Sequence, residues 1–384
     1  MASSAGVKRS AFLVTYWELG NHIVYNYQTH SATVCSPLDQ AILSSASHWS
    51  DPGELAARVA GPGTEPTAVR QAVEALVERG VLEVASRPPD GAQRALAAWK
   101  GWNPAAGFFH SVSKNPPPVH PEAATLRAER IVVERGYPAM LKRYPGSTLE
   151  LPASDFEPAF AEILGQRRTW REFGGRSLSL NELSSLLGST FGVVRWLEAD
   201  AGKWVALKTS PSGGARHTIE AYVLVFQVDG IANGTYHYCP DAHALTLLRS
   251  PTPRELLADF VPAQTGYHDP AIFVVMTAIF ERMQWKYEHP RAYRVVMLDA
   301  GHLGQTFALT ATALGLAPFC TAALDDASIE SHLGLDGTSE SVVFAVGAGA
   351  RPSGKDWAPS HHESPLPHTA PPSWASRLSG RAFP

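Results

Sequence analysis

Three short segments, far apart in the chain, carry residue types that can do chemistry. Arg167-Arg168-Thr169-Trp170-Arg171 places three guanidinium groups and a hydroxyl within five residues. Forked guanidinium donors match the oxygens of a phosphate dianion, so the segment reads either as an anion clamp or as a solvated basic turn. Thr209-Ser210-Pro211-Ser212-Gly213-Gly214-Ala215-Arg216-His217 comes immediately before an apolar run. Adjacent glycines let backbone N–H groups approach a flat ring closely, although read alone this is only a turn. The third segment holds Lys286-Tyr287, followed by Arg291-Ala292-Tyr293-Arg294 and by Asp299 through Gln305. Neighbouring Lys and Tyr side chains can act as an acid/base pair, but lysine is a competent base only where its surroundings lower its pKa. A plain surface dipeptide is the competing reading.

Other candidate motifs lose support on inspection. Gly349 to Asp356 nearly matches a phosphate-binding loop, but Asp356 stands where a hydroxyl is needed and Pro352 interrupts the loop. His237, Cys239 and His243 lie close together, yet a zinc site wants a fourth ligand, and a hairpin with incidental His and Cys is the simpler reading. Gly-x-Ser-x-Gly, His-Glu-x-x-His and a Gly-x-Gly-x-x-Gly after a strand are all missing from the sequence, which weakens hydrolase, zinc-protease and Rossmann readings.

The elements that must position these residues fall into four stretches. Residues 1–86 predict a winged-helix-like module: strands over 12–17 and 21–29 around Gly20-Asn21, a helix capped by Ser36-Pro37, and a second after Asp51-Pro52 that Gly61 closes. A third helix covers Pro66 to Arg79, where Val69, Val73, Leu76 and Val77 share one apolar face, and a strand covers Val81 to Val84. Residues 87–150 are rich in proline and read as a linker with an aromatic anchor segment, Trp99 to His110. Residues 151–356 read as an α+β domain. Its expected elements are a helix over 156–165, a capping box at Ser179/Glu182 opening a helix that Gly188 stops, and buried strands at 219–228, 271–279 and 342–347. A hairpin over 233–250 and a long Ala/Gly/Thr-rich helix over 291–315 complete it. Residues 357–384 form a Pro/Ser/His-rich tail.

Composition limits the partners. Of 384 residues, 32 are Lys or Arg and 36 are Asp or Glu, a net charge of −4, which argues against a broad nucleic-acid or acidic-membrane surface. Three scattered cysteines imply no disulfide framework. The apolar runs at 271–279 and 342–346 are much shorter than the roughly 20 residues of a membrane span. The first residues lack an apolar signal region, so the expectation is a cytoplasmic protein.

Taken in order, the segments resemble a known family. From about residue 160 to 352 the chain resembles the nitroreductase superfamily and, within it, the SagB/McbC-type FMN-dependent azoline dehydrogenases. The resemblance rests on RRTWREF, SPSGGARHTIEAYV, GTYHY, the WKY/RAYR pair, LDAGHLGQTFALTATALGL and the terminal GAGAR. It implies a dimeric α+β fold, with an antiparallel or mixed sheet flanked by helices and FMN at the subunit interface. Arg167, Arg168, Thr169 and Arg171 are then expected as phosphate and ring-edge contacts, with Thr169 where the pattern usually has Ser. Ser212, Gly213 and Gly214 are expected against the isoalloxazine, Arg351 as a late phosphate partner, and Gln305 facing the flavin. Lys286 and Tyr287 match the family's catalytic acid/base pair.

The implied chemistry oxidises a thiazoline or oxazoline in a ribosomally made precursor peptide to the aromatic azole, with O₂ or another acceptor taking the electrons. A cyclodehydratase partner is compatible with this scheme. The N-terminal module reads as a leader-peptide docking element, a structural brace or, less well given Glu74 and Glu78, a DNA-binding wing. The rival functions are a flavoenzyme for a carrier-bound or small-molecule substrate, an NAD(P)H-dependent nitro or quinone reductase, and a non-catalytic subunit.

Overall fold

The computed structural model describes residues 6–61, 64–97, 99, 102–114, 158–200, 203–287 and 289–354, together with isolated positions between 122 and 134. The chain divides into two compact units: Met1–Lys114 with Phe280–Val295 and Asp336–Glu340 form the first, and the remainder forms the second.

The first unit starts with strands β1 (Val7–Arg9), β2 (Leu13–Glu18), β3 (Asn21–Asn26) and β4 (Ser31–Val34). Helices α1 (Pro37–Ser45), α2 (Pro52–Val59) and α3 (Pro66–Glu78) follow, then β5 (Leu82–Val84). The strands β2-β3-β4 form one antiparallel sheet, while β1 pairs with β5. Both hairpin residues Leu19 and Gly20 have positive φ, 48° and 81°, so the turn falls one residue earlier than the sequence suggested. Strand β4 had no counterpart in the sequence reading. At α1 the Ser36 hydroxyl accepts from the Asp39 N–H and Asp39 accepts from the Ser36 N–H, closing a capping box ahead of Pro37. Helix α2 ends at Val59, two residues before Gly61. Val69, Val73 and Leu76 of α3 bury the predicted face against Ile42, Leu55 and Val24, each contributing about 1.5–3 kcal/mol by leaving water.

Within the expected linker the chain forms two helices, α4 (Gly91–Ala97) and α5 (Asn103–Ser113). Pro104 occupies the first turn of α5, where no N–H is needed, so proline here starts a helix and does not forbid one. Most of the rest of 87–150, and the tail 357–384, lie outside the described residues.

The second unit has helix α6 (Pro158–Gln166) and α7 (Leu180–Phe191), the hairpin β6 (Arg195–Asp200) and β7 (Lys203–Leu207), then β8 (Ile219–Val225), β9 (Gly234–Cys239) and β10 (Ala244–Arg249). There follow α8 (Leu256–Phe260), β11 (Ile272–Ile279), α9 (Phe280–Gln284), α10 (Arg291–Ala313), β12 (Leu316–Thr321), α11 (Asp326–Leu333) and β13 (Glu340–Ala350). Of these, α9 and the first turn of α10 belong to the first unit. Six strands form a sheet in the order β10-β9-β8-β11-β13-β12, and β10/β9, β9/β8, β8/β11 and β12/β13 pair antiparallel. The two central strands carry unbroken apolar runs because both their faces are covered: Val223, Leu224 and Ile272 through Val275 are fully buried.

Helix α7 opens with its expected capping box, and Arg176 pairs with Glu182 at 2.8 Å. That hydrogen bond leads the causes that bring the Glu182 carboxyl down to about 2. Gly188 does not stop this helix, which runs to Phe191 and is capped at Gly192. The His243 ring packs against Gly188, where an added Cβ would lie 2.9 Å from its Cε1, so this glycine serves close approach and not termination. The β6–β7 hairpin, absent from the sequence reading, exposes Trp196, Leu197, Trp204 and Leu207. No helix among the described residues is long and apolar enough to cross a membrane.

Candidate functional site

In the second unit, edge strand β12 gathers the arginines. The segment after α6 is drawn onto it by a backbone bond from Trp170 N–H to the Pro318 carbonyl, 2.9 Å. Arg351, just past β13, donates from Nε to the Leu316 carbonyl at 3.1 Å and from Nη2 to the Thr312 carbonyl at 3.4 Å, and its guanidinium lies 5.8 Å from the Trp170 ring centroid. The Arg168 Nη1 donates to the carbonyls of Gly165 and Arg167, at 2.7 and 2.8 Å. Arg171 lies over the Tyr267 ring at 5.9 Å, and that ring stacks on Phe319 of β12 at 4.2 Å. Thr169 is half-buried between Arg168 and Trp170.

This is an electropositive, partly dehydrated site. Burial lowers the Arg168 pKa, helped by the neighbouring Arg167 charge, and burial alone lowers that of Arg351. On the same strand, burial pushes the Cys320 thiol up to about 11, and the Arg167 charge only partly offsets this. No carboxylate forms an ion pair with Arg167, Arg171 or Arg351 among the described residues. The Trp170 indole N–H is buried without a hydrogen-bond partner among them. Guanidinium groups lacking a counter-charge, beside an unpaired buried donor, are a donor set that can hold a phosphate-like dianion.

The glycine turn is fastened to the long helix. The Ser212 hydroxyl donates to Asp299 Oδ2 at 2.6 Å and the Gly213 N–H to Oδ1 at 3.1 Å, while the Ser212 oxygen accepts the His217 N–H at 2.9 Å. Ser210 and Thr306 hydroxyls meet at 2.6 Å about two turns further along α10. Gly214, inside the short 3₁₀ turn Gly213–Ala215, adopts φ +59°, a left-handed conformation that suits glycine. Asp299 therefore takes up the Ser212 hydroxyl and the Gly213 N–H that the sequence reading directed at a ring. Gln305, next to Thr306, is exposed. Asp299 opens a segment named from the sequence but was given no role there. Its only signal was a carboxylate among small and apolar residues, now 3% exposed.

Lys286 and Tyr287 lie in the first unit, in the turn after α9. Their N–H groups both donate to the Met283 carbonyl, at 3.2 and 3.0 Å. Both side chains are exposed, and the Lys286 ammonium lies 5.6 Å from the Tyr287 ring centroid. Beneath the turn, Trp99, Trp102, His110, Phe280 and Tyr293 form one aromatic cluster. The indole N–H of Trp102 reaches the Tyr287 carbonyl at 3.0 Å. His110 lies between the Tyr293 hydroxyl and the Gly337 carbonyl, at 2.9 and 3.0 Å, and burial brings its pKa down to about 4. The aromatic anchor segment thus packs within its own unit, and its partners nearly two hundred residues away left no trace in local spacing. His237, one of the three residues of the disfavoured zinc reading, meets Glu220 at 2.6 Å.

Residues 164–350 match the nitroreductase family. Trifolitoxin-processing protein TfxB of Rhizobium leguminosarum bv. trifolii is 37% identical over 142 residues, covering 36% of this chain and 38% of that protein. Trifolitoxin operon protein TfxC of the same organism is 25% identical over 319 residues, covering 77% of this chain and 86% of that protein. A protein of Methanocaldococcus jannaschii named as a nitroreductase is 32% identical over 189 residues, covering 49% of this chain and 91% of that protein. The family match spans both the arginine cluster and the glycine turn, and with a relative 32% identical over 91% of its own length it places this chain in the nitroreductase family.

Proposed function

We propose that this protein is an FMN-dependent dehydrogenase that oxidises thiazoline or oxazoline rings in a ribosomally made precursor peptide to the aromatic azoles. The observation that carries the reading is Lys286-Tyr287 displayed on an exposed, internally braced turn in a chain of this family. Two relatives named for trifolitoxin processing or its operon support a peptide as substrate.

The residues fit the cofactor. Arg167, Arg171 and Arg351, without carboxylate partners among the described residues, with Arg168 and the unpaired Trp170 N–H, would hold the FMN phosphate. The turn at Ser212, Gly213 and Gly214 would lie against the ring system, its shape held by Asp299, with Gln305 contributing from α10. When bound, FMN supplies the acceptor for the hydride that leaves the azoline. One member of the pair, in its deprotonated form (neutral Lys286 amine or Tyr287 phenolate), would accept the single ring α-proton at Nζ or at the phenolic oxygen while the other orients the ring, and the rigid turn would set their direction.

The N-terminal module, residues 1–86, would dock the leader of that peptide. Edge strand β2 and helix α1 border a cavity of about 590 Å³ lined by Lys8, Arg9, Leu13, Thr15, His22 and Leu43, and an extended segment could lie along such an edge. The active form would be a homodimer, with the apolar β6–β7 hairpin as a surface that a second copy would cover.

The test is direct. Protein reconstituted with FMN and given an azoline-bearing peptide should remove two hydrogens per ring, read by mass spectrometry. Lys286→Ala should keep its flavin spectrum and lose that conversion. Rapid flavin bleaching by NAD(P)H with no azoline oxidation would replace this reading with a reductase.

A further inference from the structure

We infer that Trp102 is a positioning residue for the Lys286-Tyr287 pair: it fixes the backbone of the catalytic turn from inside the first unit. The inference rests on the proposed role of that pair. Trp102 is fully buried, at 0% exposure, so its indole N–H needs an acceptor, and the acceptor is the Tyr287 carbonyl at 3.0 Å. The other side of the dipeptide is already tied, since the Lys286 and Tyr287 N–H groups donate to Met283. The turn is therefore pinned at both ends through its backbone, which leaves both side chains exposed for chemistry.

The ring itself cannot swing away. Trp99 packs edge-on against it at 5.3 Å, Phe280 at 6.1 Å and Tyr293 at 5.9 Å. Phe280 opens the helix before the turn and Tyr293 lies in the first turn of the helix after it, so one indole touches the chain before, at and beyond the pair. His110 locks Tyr293 in turn, through the hydroxyl, to the Gly337 carbonyl. Proton transfer is sensitive to placement: a displacement of about 1 Å can cost roughly a hundredfold in rate. An ordinary core tryptophan would matter for folding alone. This one also donates the hydrogen bond that sets where Lys286 and Tyr287 point.

Trp102→Phe keeps most of the ring and removes the donor. The expected result with FMN-loaded protein is a kcat about tenfold lower, with KM for the azoline peptide and flavin content unchanged. Hydrogen exchange of a peptide spanning residues 284–287 should quicken, while that of 272–279 stays as in the parent. In a Lys286→Ala/Tyr287→Phe background the same substitution should cost nothing further, because the groups it positions are gone. A kcat within twofold of the parent, or an equal loss in both backgrounds, overturns the inference while leaving Lys286 its role. Normal turnover by Lys286→Ala sinks the proposed function instead. Should Trp102→Phe not fold, Tyr293→Phe removes only the hydroxyl that His110 holds. Faster exchange at 284–287 and a lower kcat at constant KM are then expected, and no change in either would overturn the positioning role.

Discussion

The arginine cluster of the second unit and the Lys-Tyr turn of the first are built in opposite ways. Around β12, Arg167, Arg168 and Arg351 are half-buried while Arg171 is exposed, and their state is set by what surrounds them: carbonyls, aromatic faces and, for Arg167, Arg171 and Arg351, the lack of an ion-paired carboxylate among the described residues. At Lys286-Tyr287 the side chains stand in solvent, and the order lies underneath, in the backbone and an aromatic bed. The first arrangement suits binding, where pre-formed desolvated charge raises affinity for an anion. The second suits proton transfer to a large substrate that must reach the groups from outside. In the proposed function, one region holds and the other acts.

That contrast can be broken by experiment. Lys286→Ala should cost about 10²–10⁴ in turnover, the usual worth of a positioned acid/base group, and leave FMN affinity unchanged. A loss of flavin in that variant would erase the distinction. Next in size is a pH effect on the bed of the turn. His110 is held near 4, against an ordinary 6.5, chiefly by burial. Below pH 6.5 the unfolded chain binds this proton while the folded one does not, so the stability it contributes, at most about 3 kcal/mol, is complete above 6.5 and lost as pH falls through 4. Denaturant melts between pH 7 and 4 should show that slope, and His110→Gln should flatten it.

The arginines should give the converse phenotype to Lys286. Arg351→Ala or Arg167→Ala should weaken FMN by about 10- to 100-fold, from the loss of a charge-assisted bond, with kcat at saturating FMN little changed. Fluorescence titration of the apoprotein measures this. Smallest is Asp299→Asn, which keeps one acceptor for the glycine turn and removes the charge. It should lower stability by about 1–2 kcal/mol in urea melts and leave the Lys-Tyr turn undisturbed.

The two regions were also unequally legible in the sequence. Arginines, glycines and the Lys-Tyr pair stand out by residue type, so they could be named before any fold was known. Strands β8, β9, β10, β11 and β13 and the long helix α10 announced themselves through apolar runs and small-residue composition. What stayed hidden depends on distant partners. Trp102 and His110 sat in a proline-rich stretch where α5 carries Pro104 in its first turn, and their contacts at Tyr287, Tyr293 and Gly337 are set by tertiary structure alone. Gly188 looked like a stop because a glycine after leucines usually is one, and only the His243 ring explains its place within the helix. The β6–β7 hairpin escaped because its strands alternate no clean apolar face: exposed Trp196 and Trp204 lie on one side and Leu197 and Leu207 on the other.

Cys320 lies on the strand around which the cations gather, yet its sulfur stays protonated, with a pKa near 11. Peroxide and alkylating electrophiles attack the anionic form of sulfur far faster than the neutral one. A thiol kept in its neutral form is a soft, polarisable filler beside these cations and a poor target for such reagents, so the strand can carry sulfur there without becoming a site of covalent damage.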